Sequence, residues 1–329
     1  MVNGDGSPKV LRFLCCRMWD TTYCLNMSWV RGIRRTDELQ HQRNDHGLVG
    51  WLTSDHEKIP VFRLTTLLNR SFDESGREGK ILVLNTQPHP WGLLVESVES
   101  VIQVTAAEVF PLPTLARNPA ADVFKGVVKH QDKMLLVLAP ESLHPAAPAK
   151  TIRALPTEHT LETLYSVADI SARPGTRSKV IVFSTTPDQA ITFGLSLSQV
   201  PQILRPLPIP PVPGTASDVL GLIEWRGVPL AVIDLSRRLG GAASPVTTDS
   251  RLLIARASTQ RACFGLPIRP QVHIHNLPIP HQVTDRPVPL QESLIRGKFA
   301  LEHTTLVIPD LDALLAPNRE SPDCRGARC

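Results

Sequence analysis

Aromatic residues make up only 5% of this 329-residue chain. They do not alternate with Lys or Arg, so the stacking platform of a single-stranded RNA or DNA binder is missing. Charge of one sign is missing as well. Against 35 basic residues stand 31 acidic ones, and a net +4 gives no field of the kind that gathers nucleic acid. The six cysteines are Cys15, Cys16, Cys24, Cys263, Cys324 and Cys329. None falls in a Cys-x-x-Cys spacing, which argues against a zinc site, and the adjacent Cys15-Cys16 is a poor start for a disulfide framework. Reduced, buried thiols are expected instead. No apolar run is long enough to cross a bilayer, and the polar stretch Met1–Pro8 lacks the features of a secretory signal. A soluble cytoplasmic protein is the expectation.

Catalytic motifs are absent in the same way. Gly76-Arg77-Glu78-Gly79-Lys80 ends like a phosphate loop, but position 74 is Glu74. There is no Gly-x-Ser-x-Gly elbow and no His-Glu-x-x-His. His273 and His275 would share one face of a strand, with His281 as a third ligand, but a solvated sheet face explains them as well. No nucleophile, acid–base pair or metal set can be assembled, so neither an enzyme nor a cofactor is expected.

The chain does contain a repeat. Gly50-Trp51-Leu52 followed by Pro60-Val61-Phe62-Arg63-Leu64 recurs as Gly221-Leu222-Ile223 followed by Ala231-Val232-Ile233-Asp234-Leu235, a lag of 171 (221 − 50). Lys125-Gly126 recurs as Arg296-Gly297 at the same lag, and Lys9-Val10 as Lys179-Val180 at 170. A nearly constant lag over most of the chain points to tandem copies of one module. The expected layout is a first copy over 1–148, a linker with a helix over 149–178, a second copy over 179–317 and a disordered tail over 318–329. The linker helix is placed over Pro156–Tyr165, with Thr157 or Thr160 as its cap.

Within each copy the apolar runs are short and rich in Val, Ile and Leu. Lys80–Leu84, Trp91–Val95, Met134–Leu138, Lys179–Phe183, Val228–Ile233 and Arg251–Ala255 read as strands. Thirty prolines weigh against helices. The fold class is therefore all-β, built from small barrels or sandwiches with a few short helices. Such helices are expected from Leu64 to Leu68, after Asp234, at Glu141–Leu143 and at Asp310–Leu315. The prolines of Pro206–Pro213 read as a stiff connector between two strands more than as a ligand for a partner's SH3 domain. Gly50, Gly92, Gly126, Gly221 and Gly265 are expected at turns or close backbone contacts, and Asp234 as a helix cap.

The second copy, from Leu204-Arg205 through Val219-Leu220-Gly221-Leu222-Ile223-Glu224-Trp225-Arg226-Gly227 to Ile233-Asp234-Leu235-Ser236-Arg237, resembles the CheW domain. It matches that family's glycine, Arg-Gly turn and strand-to-helix Asp. The first copy is similar in its other half, at Trp91-Gly92-Leu93-Leu94-Val95-Glu96-Ser97-Val98 and the Phe110-Pro111-Leu112-Pro113 exit. There are departures. Asp55-His56 replaces the Arg-Gly turn in copy one, and Gly265-Leu266-Pro267-Ile268-Arg269-Pro270 carries prolines that suit an edge strand. Gln202 stands where the family often has a Glu able to pair with the turn Arg, here Arg226.

The resemblance implies, for each module, a pair of five-stranded SH3-like β-barrels around a shared core. It implies a scaffold without catalysis, coupling chemoreceptor signalling tips to the regulatory domain of the histidine kinase CheA and to other CheW-like domains. Expected contact residues are Gln202, Trp225, Arg226 and Gly227 in copy two, and Gly92, Leu94, Val95 and Val98 in copy one. Trp225 reads equally as an interface anchor and as barrel core. A different class remains, an SH3-like barrel that binds nucleic acid or ribosome components, and the balanced charge speaks against it.

Overall fold

The computed structural model describes residues 10–18, 21–41, 48–54, 57–64, 79–87, 89–117, 123–143, 178–187, 190–259, 262–277, 288–301 and 304–315. The expected linker helix, the tail, the Asp55-His56 turn and His281 lie outside them, as does the Leu64–Leu68 helix beyond Leu64.

Among the described residues twelve strands form the first half: β1 (Val10–Met18), β2 (Thr21–Asn26), β3 (Val30–Arg35), β4 (Gln40–His41), β5 (Leu48–Ser54), β6 (Glu57–Arg63), β7 (Lys80–Leu84), β8 (Trp91–Val95), β9 (Ser97–Thr105), β10 (Val109–Phe110), β11 (Phe124–His130) and β12 (Lys133–Leu138). Ten form the second: β13 (Ser178–Phe183), β14 (Ile191–Ser196), β15 (Gln202–Leu204), β16 (Val219–Trp225), β17 (Val228–Ile233), β18 (Arg251–Arg256), β19 (Cys263–Ile268), β20 (Val272–Leu277), β21 (Ile295–Leu301) and β22 (Thr304–Pro309). Among the described residues three short helices join them: α1 (Pro140–Leu143), α2 (Leu235–Arg238) and α3 (Leu311–Leu315). All three stand where the sequence placed short helices. Asp234 and Asp310 start α2 and α3 by accepting backbone N–H groups of the first turn.

The strand orders show the duplication. In the first half the sheets run β10-β11-β12-β2-β1-β9 and β3-β7-β8-β6-β5-β4. In the second they run β20-β13-β14-β22-β21 and β15-β18-β19-β17-β16. With β10 and β4 set aside, the orders are the same. Parallel contacts recur in both copies, β12 with β2 and β6 with β8, then β14 with β22 and β17 with β19. The expected five strands per sheet thus hold in copy two, and copy one adds a two-residue edge strand to each sheet. Registers also correct the lag at the start of the modules. Phe13 faces Asn26 just before one 3-10 turn, and Val180 faces Ser196 just before its counterpart, so the lag there is 167 (180 − 13). The Lys9/Lys179 likeness is therefore not an equivalence.

Alternation along the strands sends side chains to two places. Each sheet curls over an apolar interior of its own: Phe13, Ile102 and Val128; Leu52, Ile59 and Val61; Val180, Val182 and Leu306; Ile223, Val232 and Ile254. The opposite faces meet in one large core that includes Leu25, Trp91 and Leu136 of copy one and Phe183, Leu222 and Phe264 of copy two. The two halves therefore share a continuous interior.

Four glycines at lag 171 or within one copy mark the same device. Strands β5, β11, β16 and β21 each shift register at Gly50, Gly126, Gly221 and Gly297. At three of them a neighbouring carbonyl crosses where a side chain would stand. An added Cβ would lie 2.3 Å from the Gln40 oxygen at Gly50, 2.4 Å from that of Phe110 at Gly126, and 2.1 Å from that of Pro210 at Gly221. The bulge lets an edge segment pass over the sheet. The proline run fills this place in copy two, as β4 does in copy one. Leu222 N–H donates to Pro210 O at 3.0 Å and Val212 is buried, so the run is a built connector.

The edge-strand expectation for Gly265–Pro270 needs correction. Strand β19 lies centrally, between β18 and β17. Pro267 is tolerated because the β17 ladder touches β19 at Gly265 and does not reach Pro267, which faces Leu252 of β18 alone.

Candidate partner-binding site

The β16–β17 hairpin closes through Arg226 and Gly227, with φ of +51° and +84°. Two left-handed residues in a row make the tight turn that suits the twist of paired strands. Gly takes that conformation freely, whereas Arg pays for it, so the strain is held at an exposed cationic residue. The Arg226 guanidinium lies 4.7 Å from the centre of the Trp225 ring. Trp225 itself is 4% exposed and belongs to the interior with Ile223, Leu230 and Leu252. Of its two readings, the structure assigns the ring to the core. Its indole N–H donates to Oε1 of Gln202 at 3.0 Å. Gln202 therefore serves the tryptophan, and Arg226 is positioned over the indole face.

The base of the hairpin is fixed from below. Buried Asp234 accepts Arg237 N–H at 3.2 Å with one oxygen and Ser244 N–H at 2.6 Å with the other. Arg238 pairs with Asp218 at 3.1 Å, both side chains under 10% exposed, and donates to the Leu314 carbonyl of α3 at 2.6 Å. Gly221 and Gly265 are buried packing positions.

The copy-one residues do not form one exposed surface. Gly92 is buried, and a Cβ there would lie 2.9 Å from methyl groups of Ile81 and Val61. Val95 is buried as well, Leu94 packs on the β5–β8 interior, and Val98 on the large core. Strand β8 is central in its sheet, which is why so little of this stretch reaches solvent.

A further contact was not signalled by any local pattern. The 3-10 turn Thr114–Ala116 of copy one, with Leu115 and Ala116 buried, packs on β16 and β17 of copy two. Beside it Lys129 of β11 pairs with Glu224 of β16 at 2.6 Å. Only the three-dimensional repeat brings these distant residues together. Among the described residues no group of three or more His, Cys, Asp or Glu side chains converges as a metal site. His273 and His275 lie on one strand with ring centres 6.5 Å apart, both exposed. No helix of the described residues is long and apolar enough to cross a membrane.

A family model described as CheW-like domain matches this chain twice, over residues 12–147 and 179–318. Together the matches take in well over half of the sequence. Among solved structures, the chain is similar to the scaffolding protein TtCheW from Thermoanaerobacter tengcongensis, at 17% identity and a TM-score of 0.36, covering 42% of this chain and 90% of that one.

Proposed function

The chain belongs to the CheW-like domain family, and on that premise we propose that it is a non-catalytic adaptor of chemotaxis-type signalling. It carries two modules on one chain and links a chemoreceptor signalling tip, a CheA-like kinase regulatory domain or further CheW-like domains. The observation that carries this reading is the double family match, set on two sheet pairs of the same strand order. The surface proposed for contact is the Arg226–Gly227 turn, where an exposed guanidinium is presented on a rigid hairpin and can meet a partner's carboxylate. Leu94 and Val98 are kept as the candidate contacts of copy one. Fusion of two modules raises avidity when both engage, because the second binding event becomes intramolecular. The proposed modules span 1–148 and 179–317.

The test is affinity capture with the full chain and with Arg226→Ala, using a CheA-like regulatory domain and a receptor signalling tip as baits. The variant is expected to lose about tenfold in affinity for one bait, roughly 1.4 kcal/mol, with its fold unchanged. Undiminished capture of both baits would remove the turn from the interface, and capture of neither by the unmodified chain would remove the adaptor reading.

A further inference from the structure

The sulfurs of Cys15 and Cys24 lie 3.4 Å apart in the interior of the first sheet. The two residues face each other directly across β1 and β2, and neither is in a disulfide. Directly opposed residues of antiparallel strands have Cα separations of about 4.5–5.5 Å, inside the range that a disulfide spans. Closing the gap needs side-chain rotation, not movement of the strands.

The second copy supplies an internal control. The equivalent pair there is Val182 facing Gly194. The packing slot is thus satisfied without sulfur, and the thiol pair is particular to copy one. Adjacent Cys16 points to the other side of β1, into the large core. Strand β9, at the edge of the sheet, borders the pair. Ser100 of β9 stands opposite Cys15, is exposed, and hydrogen-bonds the thiol.

We infer that Cys15 and Cys24 form a peroxide-sensitive dithiol that closes to a disulfide and ties β1 to β2 in the first module only. Cys15, which stands opposite the exposed Ser100 of the edge strand, is the attacking sulfur. The hydrogen bond from Cys24 pulls its thiol below the ordinary value, against burial; Ser100 adds to the effect and Glu99 opposes it. The same hydrogen bond, with burial, raises Cys24, and burial pushes Cys16 up to about 12. In the first step the Cys15 thiolate attacks one oxygen of hydrogen peroxide, the O–O bond breaks, and with one proton a water leaves, giving the sulfenic acid. In the second, the Cys24 sulfur attacks that of Cys15, its proton joins the departing hydroxyl, and a second water leaves. Two thiols lose two electrons and two protons, and one peroxide becomes two waters.

The experiment treats the full chain with hydrogen peroxide, blocks remaining thiols under denaturing conditions, and maps tryptic peptides by mass spectrometry. The expected product joins Phe13–Arg17 to Met18–Arg31 with a loss of about 2 Da, and a reductant reverses it. It persists in Cys16→Ala and is lost in Cys15→Ser, a near-isosteric exchange. Recovery of Cys15 and Cys24 as thiols at a peroxide dose that oxidises Cys263 overturns the inference. So does a bridge that runs through Cys16, or Cys15 recovered as sulfinic acid without the bridge.

Discussion

Alanine at Gly221 should be among the most damaging single-methyl additions in the chain. Its Cβ would stand 2.1 Å from the Pro210 carbonyl, and real contacts of this kind do not fall below 3.0 Å, so the connector must retreat by at least 0.9 Å (3.0 − 2.1). That retreat stretches the Leu222 N–H to Pro210 O hydrogen bond beyond use. Overpacking costs about 1–3 kcal/mol. Leaving the hydrogen-bonding groups unpaired costs about 1–3 more. The expected loss is therefore about 2–6 kcal/mol, which in urea lowers the midpoint by about 1–3 M for a slope near 2–3 kcal/mol/M. Gly50→Ala and Gly126→Ala meet carbonyls at 2.3 and 2.4 Å and should behave alike. Gly297 is the control. It occupies the same bulge, but its nearest obstacle is a Phe299 ring carbon at 3.4 Å, so Gly297→Ala should fall within about 1 kcal/mol of the parent, even counting the entropy that alanine saves. Equilibrium urea unfolding followed by circular dichroism on all four variants decides it. Equal midpoints for Gly221→Ala and Gly297→Ala would refute the crossing-carbonyl argument.

Two other outcomes are expected. Arg238→Ala strands the buried Asp218 carboxylate and frees the Leu314 carbonyl, so it should cost about 3–5 kcal/mol, whereas the apolar double variant Arg238→Met with Asp218→Leu should recover much of that in a double-mutant cycle. Glu108 accepts Thr105 N–H at 2.7 Å and its hydroxyl at 2.9 Å, and these bonds, led by the backbone one, hold its carboxyl below the usual range. A folded value below the unfolded one stabilises above the unfolded value of about 4.3 and is lost as pH falls through the folded one. The stability difference between the parent and Glu108→Gln, followed by denaturation between about pH 6 and pH 3, should therefore shrink toward acid; a difference that grows instead would contradict it.

Strand positions were largely readable, because β-branched runs with turn residues at their ends leave few alternatives. Lys80–Leu84, Trp91–Val95 and Val228–Ile233 are observed with those bounds. Asp234 was readable as a cap since its role is local. Trp225 was ambiguous because a large aromatic at a hairpin end suits both core and contact, and only the Gln202 hydrogen bond and the burial of the ring decide it. The burial of Gly92 and Val95 was not readable from the sequence, because it follows from the central place of β8 in its sheet. Pro267 misled because the rule against proline in central strands applies ladder by ladder, and a strand central in order can still lack one neighbour at a given residue. The Lys129–Glu224 pair joins residues far apart in the chain, and no window of sequence contains both.

The shared interior changes what duplication means for this molecule. Once Thr114–Ala116 of one twin seals against β16 and β17 of the other, neither can drift as a free-standing unit. Each is then shaped as half of an asymmetric whole, with a front and a back that differ. A chain made this way spends part of each module's surface on its twin, so that those faces are closed to any outside partner.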